Sequence, residues 1–130
     1  MQQPEKERRF SWRARGRSFV FAWSGIVRFF RAEHNAWIHL GATLVVVMLA
    51  CVLRVSRMEA VALVLAMALV WLTEMLNTAV EKIMDHLSPG IHPQVKTIKD
   101  VAAGAVLVAA VAAAITGAII FLPKIVAALQ

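Results

Sequence analysis

Four polar side chains in the middle of this 130-residue chain have types and spacing that suit acid–base or metal chemistry. They lie in the segment EMLNTAVEKIMD and are Glu74, Asn77, Glu81 and Asp85. At about 100° per residue on a helix, Glu74, Glu81 and Asp85 fall within roughly 40° of one another. Asn77 lies about 60° to one side of them. Because the residues before this segment are almost all apolar, the sequence predicts an apolar helix that carries one polar stripe near its end.

The acids of this stripe, together with other charged residues, are the groups that phosphoryl transfer requires. The acidic residues concerned are Glu33, Glu74, Glu81, Asp85 and Asp100. Carboxylates on different helices suit Mg²⁺, a hard ion that prefers oxygen ligands and substrate phosphates. Lysine and arginine suit phosphate oxygens, and a more deeply placed carboxylate can accept the proton of an alcohol at headgroup level. A proton or ion path would use the same acids, and spacing alone leaves that alternative open.

The motifs of several other functional classes are absent from the sequence. It has no Walker A loop, no protein-kinase signature set, no Cys/His zinc spacing and no nucleophile elbow. The single cysteine, Cys51, excludes a disulfide framework within one chain.

The composition indicates a membrane protein, with 60% hydrophobic residues and a mean hydropathy of +0.69. Residues 34–53, 60–73 and 101–123 contain no Asp, Glu, Lys or Arg. A membrane span needs about 20 mostly apolar residues, which the first and third runs supply. The middle run is only about 21 Å long, so its helix spans only if Glu74 lies at or just inside the membrane boundary. The sequence therefore predicts an all-α membrane protein with transmembrane helices at about 36–53, 58–86 and 100–122, the second with a cytoplasmic extension.

The basic residues are distributed unevenly around these spans. Eight of the fourteen precede the first span, and three more, Lys82, Lys96 and Lys99, lie between the second and third. This asymmetry predicts a cytoplasmic N-terminus, a cytoplasmic second loop and a C-terminus outside. The net charge of +6 is then explained by topology and anionic lipid headgroups, without a nucleic-acid partner.

Residues 1–10 are predicted to be a disordered polar tail, and residues 11–130 a single membrane-embedded domain. Within that domain, residues 11–31 are amphipathic. Basic side chains such as Arg13 and Arg28 share one helical face, and aromatic ones such as Phe19 and Trp23 share the other. This pattern is typical of a helix lying in the membrane interface, either as a simple anchor or as the cover of an active site.

The segment EMLNTAVEKIMD, followed by SPGIHPQVKTIKDVAAGAVL, resembles the signature of the prokaryotic diacylglycerol kinase family, which includes the undecaprenol kinases. The upstream segments RSFVFAWSGI and EHNAWIHL resemble that family's interfacial helix and the entrance of its first span, in the same order and spacing. The resemblance covers about residues 17–121, nearly all of the chain after the tail.

The resemblance implies an N-terminal interfacial helix plus three transmembrane helices, assembled as a homotrimer in the bacterial cytoplasmic (inner) membrane. It implies sites between subunits at the cytoplasmic surface, where Mg-ATP meets a lipid alcohol. By position, Glu74 matches the general base, and Glu33 and Glu81 match the glutamates that bind Mg²⁺. The implied ATP-binding residues are Phe21, Glu33, Asn77, Glu81, Gly90, Ile91, His92, Lys99 and Asp100. The implied lipid-substrate residues are Ser18, Asn35 and Glu74.

The acceptor lipid divides the family into branches. The patterns H-P-x-x-K-x-x-K-D and E-x-N-x-x-I-H-L resemble the undecaprenol kinase branch more than the diacylglycerol kinase branch, although Trp37 stands where that branch often has a basic residue. Undecaprenol is therefore the expected acceptor and diacylglycerol the alternative. From other functional classes, a small oligomeric ion or proton conductor is the runner-up. A catalytically inactive scaffold is disfavoured, because all the motif acids and Lys99 are present.

Overall fold

In the computed structural model, residues 11–90 and 92–130 are described, and they form four α-helices without any strand. The helices are α1 (Trp12–Ala32), α2 (His34–Val52), α3 (Arg57–Leu87) and α4 (Pro93–Ala128). The predicted all-helical fold is thereby confirmed. The predicted tail, residues 1–10, and Ile91 lie outside the described residues.

Three of the helices, α2, α3 and α4, are long and apolar enough to cross a membrane. Many of their large apolar side chains point outward, and Leu65 and Val108 are 65% and 71% exposed. An apolar surface of this extent suits lipid rather than water. The chain is therefore organised as a membrane protein, with α1 as an additional helix before the first span.

A tight turn joins α2 to α3. Arg54 adopts a left-handed backbone conformation with a φ of 48°, and the Val55 amide donates to the Ala50 carbonyl at 3.1 Å. Ser56 then caps α3 in a reciprocal arrangement. Its hydroxyl accepts from the Glu59 amide at 3.3 Å, and its own amide donates to the Glu59 carboxylate at 2.6 Å. The turn thus satisfies its own backbone groups.

The fourth helix begins at Pro93, seven residues before the start expected from hydropathy. Proline suits the first helical position because its φ is already helical and it has no amide to leave unpaired. The side chain of His92 caps the helix by accepting from the Gln94 amide at 3.3 Å. Asp100 consequently lies in the second turn of α4 and not at its start. The polar residues 93–99 are helical even though they do not enter the apolar run.

The largest helix contact is between α3 and α4, and α2 packs against both. A small core forms where Leu63 of α3 meets Ile120 and Phe121 of α4. The first helix is attached through aromatic side chains. Phe29 is buried, and its ring centroid lies 6.2 Å from that of Trp71 in α3. These contacts fix α1 against the same end of the bundle that carries the polar stripe.

Candidate active site

Glu74 is the most deeply buried charged residue in the described part of the chain, with 3% of its surface exposed. It lies on α3 beside the buried Thr78, one helical turn further along. Neither a hydrogen bond nor an ion pair to another described residue satisfies this carboxylate. A buried carboxylate without a partner is costly, and such groups are concentrated at functional sites. Glu74, which the family resemblance predicts to be the general base, is therefore a buried carboxylate without a protein partner, and its catalytic role stays a prediction.

Asn77 and Glu81 lie on the next turns of α3 and contact each other. The Asn77 amide nitrogen donates to Glu81 Oε1 at 3.1 Å. The Asn77 side-chain oxygen is buried and accepts no hydrogen bond from the described residues. This part of the polar stripe therefore presents oxygen atoms, one of them free to accept a hydrogen bond or to ligate a cation.

Glu33 lies at the start of α2, where its backbone caps the helix without a side-chain hydrogen bond. Its carboxylate forms an ion pair with Lys82 of α3, with 3.5 Å between Nζ and Oε1. Lys82 follows Glu81 directly in the sequence. The pair therefore brings the predicted metal ligand on α2 to the polar end of α3.

A second ion pair joins α3 to α4 at the same end. The Lys99 Nζ atom lies 2.6 Å from Asp85 Oδ1, and the negative charge of Glu81 also acts on this ammonium. Lys96 forms a separate pair with Asp100 one helical turn away, at 2.5 Å. The Lys96–Asp100 pair is the more exposed of the two, whereas Lys99 is only 33% exposed and connects two helices. The start of α2, the end of α3 and the start of α4 thus meet in one charged cluster.

The other predicted site residues lie at the edge of this cluster. Ser18 and Phe21 are exposed on α1, and Asn35 is exposed in the first turn of α2. Gly90 and His92 are exposed in the connection between α3 and α4, while the predicted Ile91 lies outside the described residues. Phe21 and Asn35 make no hydrogen bond or ring contact with the acidic stripe in the described part of the chain. Their predicted roles stay predictions.

Two contacts of the site were not predicted from the sequence. From the sequence, Lys82 contributes only to the charge of the second loop; it lies about 100° around α3 from Glu81, so the acidic stripe does not indicate its contact with Glu33. Trp71 lies three residues before Glu74, and its indole nitrogen donates to the Thr43 hydroxyl at 3.0 Å. The bond ties α3 to α2 just below the buried carboxylate. No residue pattern predicts the contact between Trp71 and Thr43, because it depends on how α2 and α3 are aligned.

The oxygen atoms of this cluster are of the type that a hard divalent cation binds. Glu33 and Glu81 supply carboxylates, and the unpaired Asn77 oxygen is a neutral ligand of the kind Mg²⁺ accepts. Within the described residues, no three acidic, histidine or cysteine side chains converge as a ready-made metal site. That is the usual situation for Mg²⁺, which binds one or two carboxylates and completes its shell with substrate phosphates and water.

Fold and site together define a small helical membrane protein with a buried carboxylate on α3 and, further along the same helix, oxygen atoms and lysine contacts of the types that suit a cation and phosphate. The comparisons with known proteins agree with this class. The family described as prokaryotic diacylglycerol kinase matches residues 20–121. The chain therefore belongs to the prokaryotic diacylglycerol kinase family, a family of lipid kinases.

Curated relatives carry two different names within this family. A diacylglycerol kinase of Synechocystis is 38% identical over 109 residues, which cover 83% of this chain and 62% of that protein. An undecaprenol kinase of Bacillus subtilis is also 38% identical, over 84% of this chain and 89% of its own length. A diacylglycerol kinase of Escherichia coli is 33% identical over 77% of this chain and 82% of its own length. The chain thus spans less than two thirds of the Synechocystis relative but most of the other two.

Proposed function

We propose that this protein transfers the γ-phosphoryl group of Mg-ATP to the hydroxyl group of a lipid alcohol, with undecaprenol as the acceptor. The product is then undecaprenyl phosphate. Family membership supports a lipid kinase, and the charged cluster at one end of the spans supports the transfer of a charged group at the membrane surface. Diacylglycerol is the alternative acceptor, since relatives named for each lipid are equally similar to this chain.

The observation that carries the proposal is the burial of Glu74 without a partner. A structural acid at this depth would be expected to have a lysine, an arginine or a hydrogen-bond donor beside it. Glu74 instead keeps both oxygen atoms available for a donor that the protein itself does not provide. The hydroxyl group of an acceptor lipid is such a donor, and its proton moves to the carboxylate as the oxygen attacks the phosphorus.

The surrounding residues bind and orient the nucleotide in this proposal. Glu33 and Glu81 hold Mg²⁺, which when bound neutralises phosphate charge and orients the transferred group. Lys99, oriented by its pair with Asp85, contacts phosphate oxygens, and Asn77 holds Glu81 in place through its amide. Phe21, Gly90, Ile91, His92 and Asp100 complete the nucleotide site, and Ser18 and Asn35 flank the lipid headgroup.

The proposal also places the enzyme in the bacterial cytoplasmic membrane as a homotrimer. The basic residues before α2 and between α3 and α4 support a cytoplasmic site. An apolar groove of about 450 Å³ between α3 and α4, lined by small residues such as Gly104 and Ala105, supports close packing of another helix. A site assembled between copies would draw Phe21, Ser18 and Asn35 towards the acidic stripe of a neighbour.

The test is phosphoryl transfer from radiolabelled ATP to lipids in mixed micelles. Undecaprenol, diacylglycerol and ceramide are offered side by side, and the labelled products are separated. We expect undecaprenol to give the highest kcat/KM. A higher value for diacylglycerol would change the acceptor but keep the lipid kinase, whereas the absence of any labelled lipid would overturn the proposed function.

A further inference from the structure

Trp71 of α3 is the side chain at which three helices meet. On the side of α1, the ring centroids of Phe29 and Phe30 lie 6.2 and 5.3 Å from that of Trp71. On the side of α2, the His39 ring centroid lies 6.2 Å away, and the Thr43 hydroxyl accepts a hydrogen bond from the indole nitrogen at 3.0 Å. The position of Trp71 therefore depends on α1 and α2 as well as on its own helix.

The hydrogen bond between Trp71 and Thr43 is the most restrictive of these contacts. Aromatic rings pack favourably over a wide range of centroid distances, about 4.5 to 7 Å, so a ring contact tolerates sliding. A hydrogen bond requires a donor–acceptor distance of about 2.7 to 3.2 Å and a nearly linear arrangement. Both residues are half-buried, where water competes less for the single indole N–H donor. The bond therefore limits how far α3 can rotate or slide relative to α2.

Glu74 follows Trp71 by three residues on α3, which corresponds to a rise of about 4.5 Å and a rotation of about 60°. Its carboxylate has no hydrogen bond or ion pair to another described residue. Reacting groups in active sites are generally held by hydrogen bonds from neighbouring side chains. Because Glu74 has none, its position follows from the helix that carries it. A rotation or shift of α3 consequently moves the carboxylate with it.

The other contacts of α3 do less to fix Glu74 relative to α2. The large contact between α3 and α4 holds those two helices to each other and not to α2. The Glu33–Lys82 ion pair does connect α3 to the start of α2, but it is 3.5 Å long and the Lys82 side chain is 56% exposed. Exposed ion pairs of this kind restrict their partners weakly. The Trp71–Thr43 bond is therefore the contact best placed to align Glu74 with the groups on α2.

We propose that Trp71, through its hydrogen bond to Thr43, is a positioning residue for Glu74. It holds α3 at the rotation and depth from which the carboxylate accepts the proton of the lipid hydroxyl. The inference rests on the proposed function, since it concerns the general base of that enzyme. Phe29 and Phe30 pack on the same indole, so α1 acts on the position of Glu74 through this one side chain.

Two substitutions in the full-length protein break the bond from either side. Thr43→Val removes the acceptor with little change of shape, and Trp71→Phe removes the donor but keeps an aromatic ring. The kcat and the KM for ATP are measured in mixed micelles with saturating lipid acceptor. We expect each variant to lower kcat roughly tenfold, since displacing a reacting group by about 1 Å can cost about 10²-fold. The KM for ATP should be unchanged, because neither residue belongs to the predicted nucleotide site.

Two further variants provide rescue and control. Thr43→Ser keeps the hydroxyl and should retain most of the kcat that Thr43→Val loses. Thr73→Val removes a hydroxyl directly before Glu74, but that hydroxyl donates only to carbonyls of its own helix, those of Leu69 and Val70, at 2.9 and 3.0 Å. It therefore should leave kcat unchanged. Thermal unfolding and the stoichiometry of nucleotide binding are measured on every variant, so that kcat refers to folded protein.

The residual activity of Glu74→Gln separates positioning from a general structural role. If the bond acts through the carboxylate, adding Thr43→Val to Glu74→Gln should lower the residual rate no further. A general structural role would lower the rate by the same factor in both backgrounds. Unchanged kcat in Thr43→Val or Trp71→Phe, an equal loss in Thr73→Val, or a loss that persists beside Glu74→Gln would each overturn the inference. Lipid phosphorylation by the unmodified protein would then still support the proposed function, whereas its absence would overturn both.

Discussion

Two acidic residues of α3, Glu59 and Glu74, lie towards opposite ends of the helical bundle and differ in whether they have a partner. At the end where α2 turns into α3, Glu59 accepts from the Ser56 amide at 2.6 Å and pairs with Lys124 of α4 at 3.2 Å. At the other end, Glu74 is buried without a partner. Both acids lie on the same helix. A carboxylate that only stabilises the fold is paired, whereas one left without a partner in a buried position is available to a ligand.

The charged pairs around Glu74 sharpen this contrast. Lys82 with Glu33 and Lys99 with Asp85 each join two helices, and each pair contains one residue, Glu33 or Lys99, that is predicted to meet Mg-ATP. Pairs of exposed charges such as these are weak and can exchange partners. The Glu59–Lys124 ion pair is therefore interpreted as a contact that stabilises the packing of α3 and α4. The charged cluster at the opposite end is interpreted as a site whose contacts rearrange when nucleotide binds.

The largest expected effect comes from removing the charge of Glu74. Glu74→Gln keeps the size of the side chain but cannot accept the proton of the lipid hydroxyl. We expect kcat to fall by about 10²-fold or more, the range for loss of general base catalysis. ATP affinity should be retained, because the predicted metal-binding glutamates are intact. The measurement pairs kcat with nucleotide affinity. Loss of nucleotide binding would make Glu74 a further metal ligand.

A smaller but still severe effect is expected when the predicted Mg²⁺ ligands lose their charge. Glu33→Gln and Glu81→Gln should each lower activity and raise the Mg²⁺ concentration required for half-maximal activity. The separate effect on metal binding is followed by Mn²⁺ binding to the nucleotide complex in electron paramagnetic resonance titrations. Near-normal activity with an unchanged metal requirement would mean that these residues serve as structural ion-pair partners, as the Lys82 contact of Glu33 also permits.

Asp85 should have a milder effect, because it lies further from the membrane and acts through Lys99. Asp85→Asn removes the charge that holds the Lys99 ammonium. We expect a few-fold increase in the KM for ATP with kcat nearly unchanged, as for a residue that orients a phosphate contact. The KM and kcat are measured separately under saturating lipid. A fall in kcat as large as that of Glu74→Gln would place Asp85 among the reacting groups instead.

Topology can be tested without changing any residue of the chain. If the end with Glu74 is cytoplasmic, a reporter fused after Gln130 lies outside the cytoplasm. A reporter inserted in the α3–α4 connection, between Ser88 and His92, lies inside. Alkaline phosphatase and a fluorescent protein report the two sides. A cytoplasmic C-terminal reporter would contradict the model of three spans with a cytoplasmic N-terminus.

The three long helices and the polar stripe could be predicted from the sequence. The apolar runs predict three long helices, and the spacing of Glu74 and Glu81 predicts the polar stripe. Both predictions are possible because they depend on local patterns in the sequence. The early start of α4 at Pro93 was missed, since hydropathy reports which residues suit lipid and not which ones are helical. A proline after a capping histidine was the available signal.

The contacts between helices could not be predicted from the sequence, for a different reason. Whether Lys82 reaches Glu33, or Trp71 reaches Thr43, depends on the relative rotation and depth of two helices. Those quantities follow from side-chain packing along the entire interface, including buried positions such as Phe29 and Ala36 that carry no chemical signal. The absence of a partner for Glu74 was unpredictable on the same grounds.

The most direct test of the account applies one substitution to both ends of the bundle. Glu74→Gln and Glu59→Gln are compared for phosphorylation of undecaprenol and diacylglycerol and for thermal unfolding in the same micelles. The account predicts that Glu74→Gln abolishes most lipid phosphorylation while the protein unfolds at the same temperature or higher. It predicts that Glu59→Gln unfolds at a lower temperature but keeps its kcat. Equal loss of phosphorylation in both variants, or unchanged phosphorylation in Glu74→Gln, would contradict it.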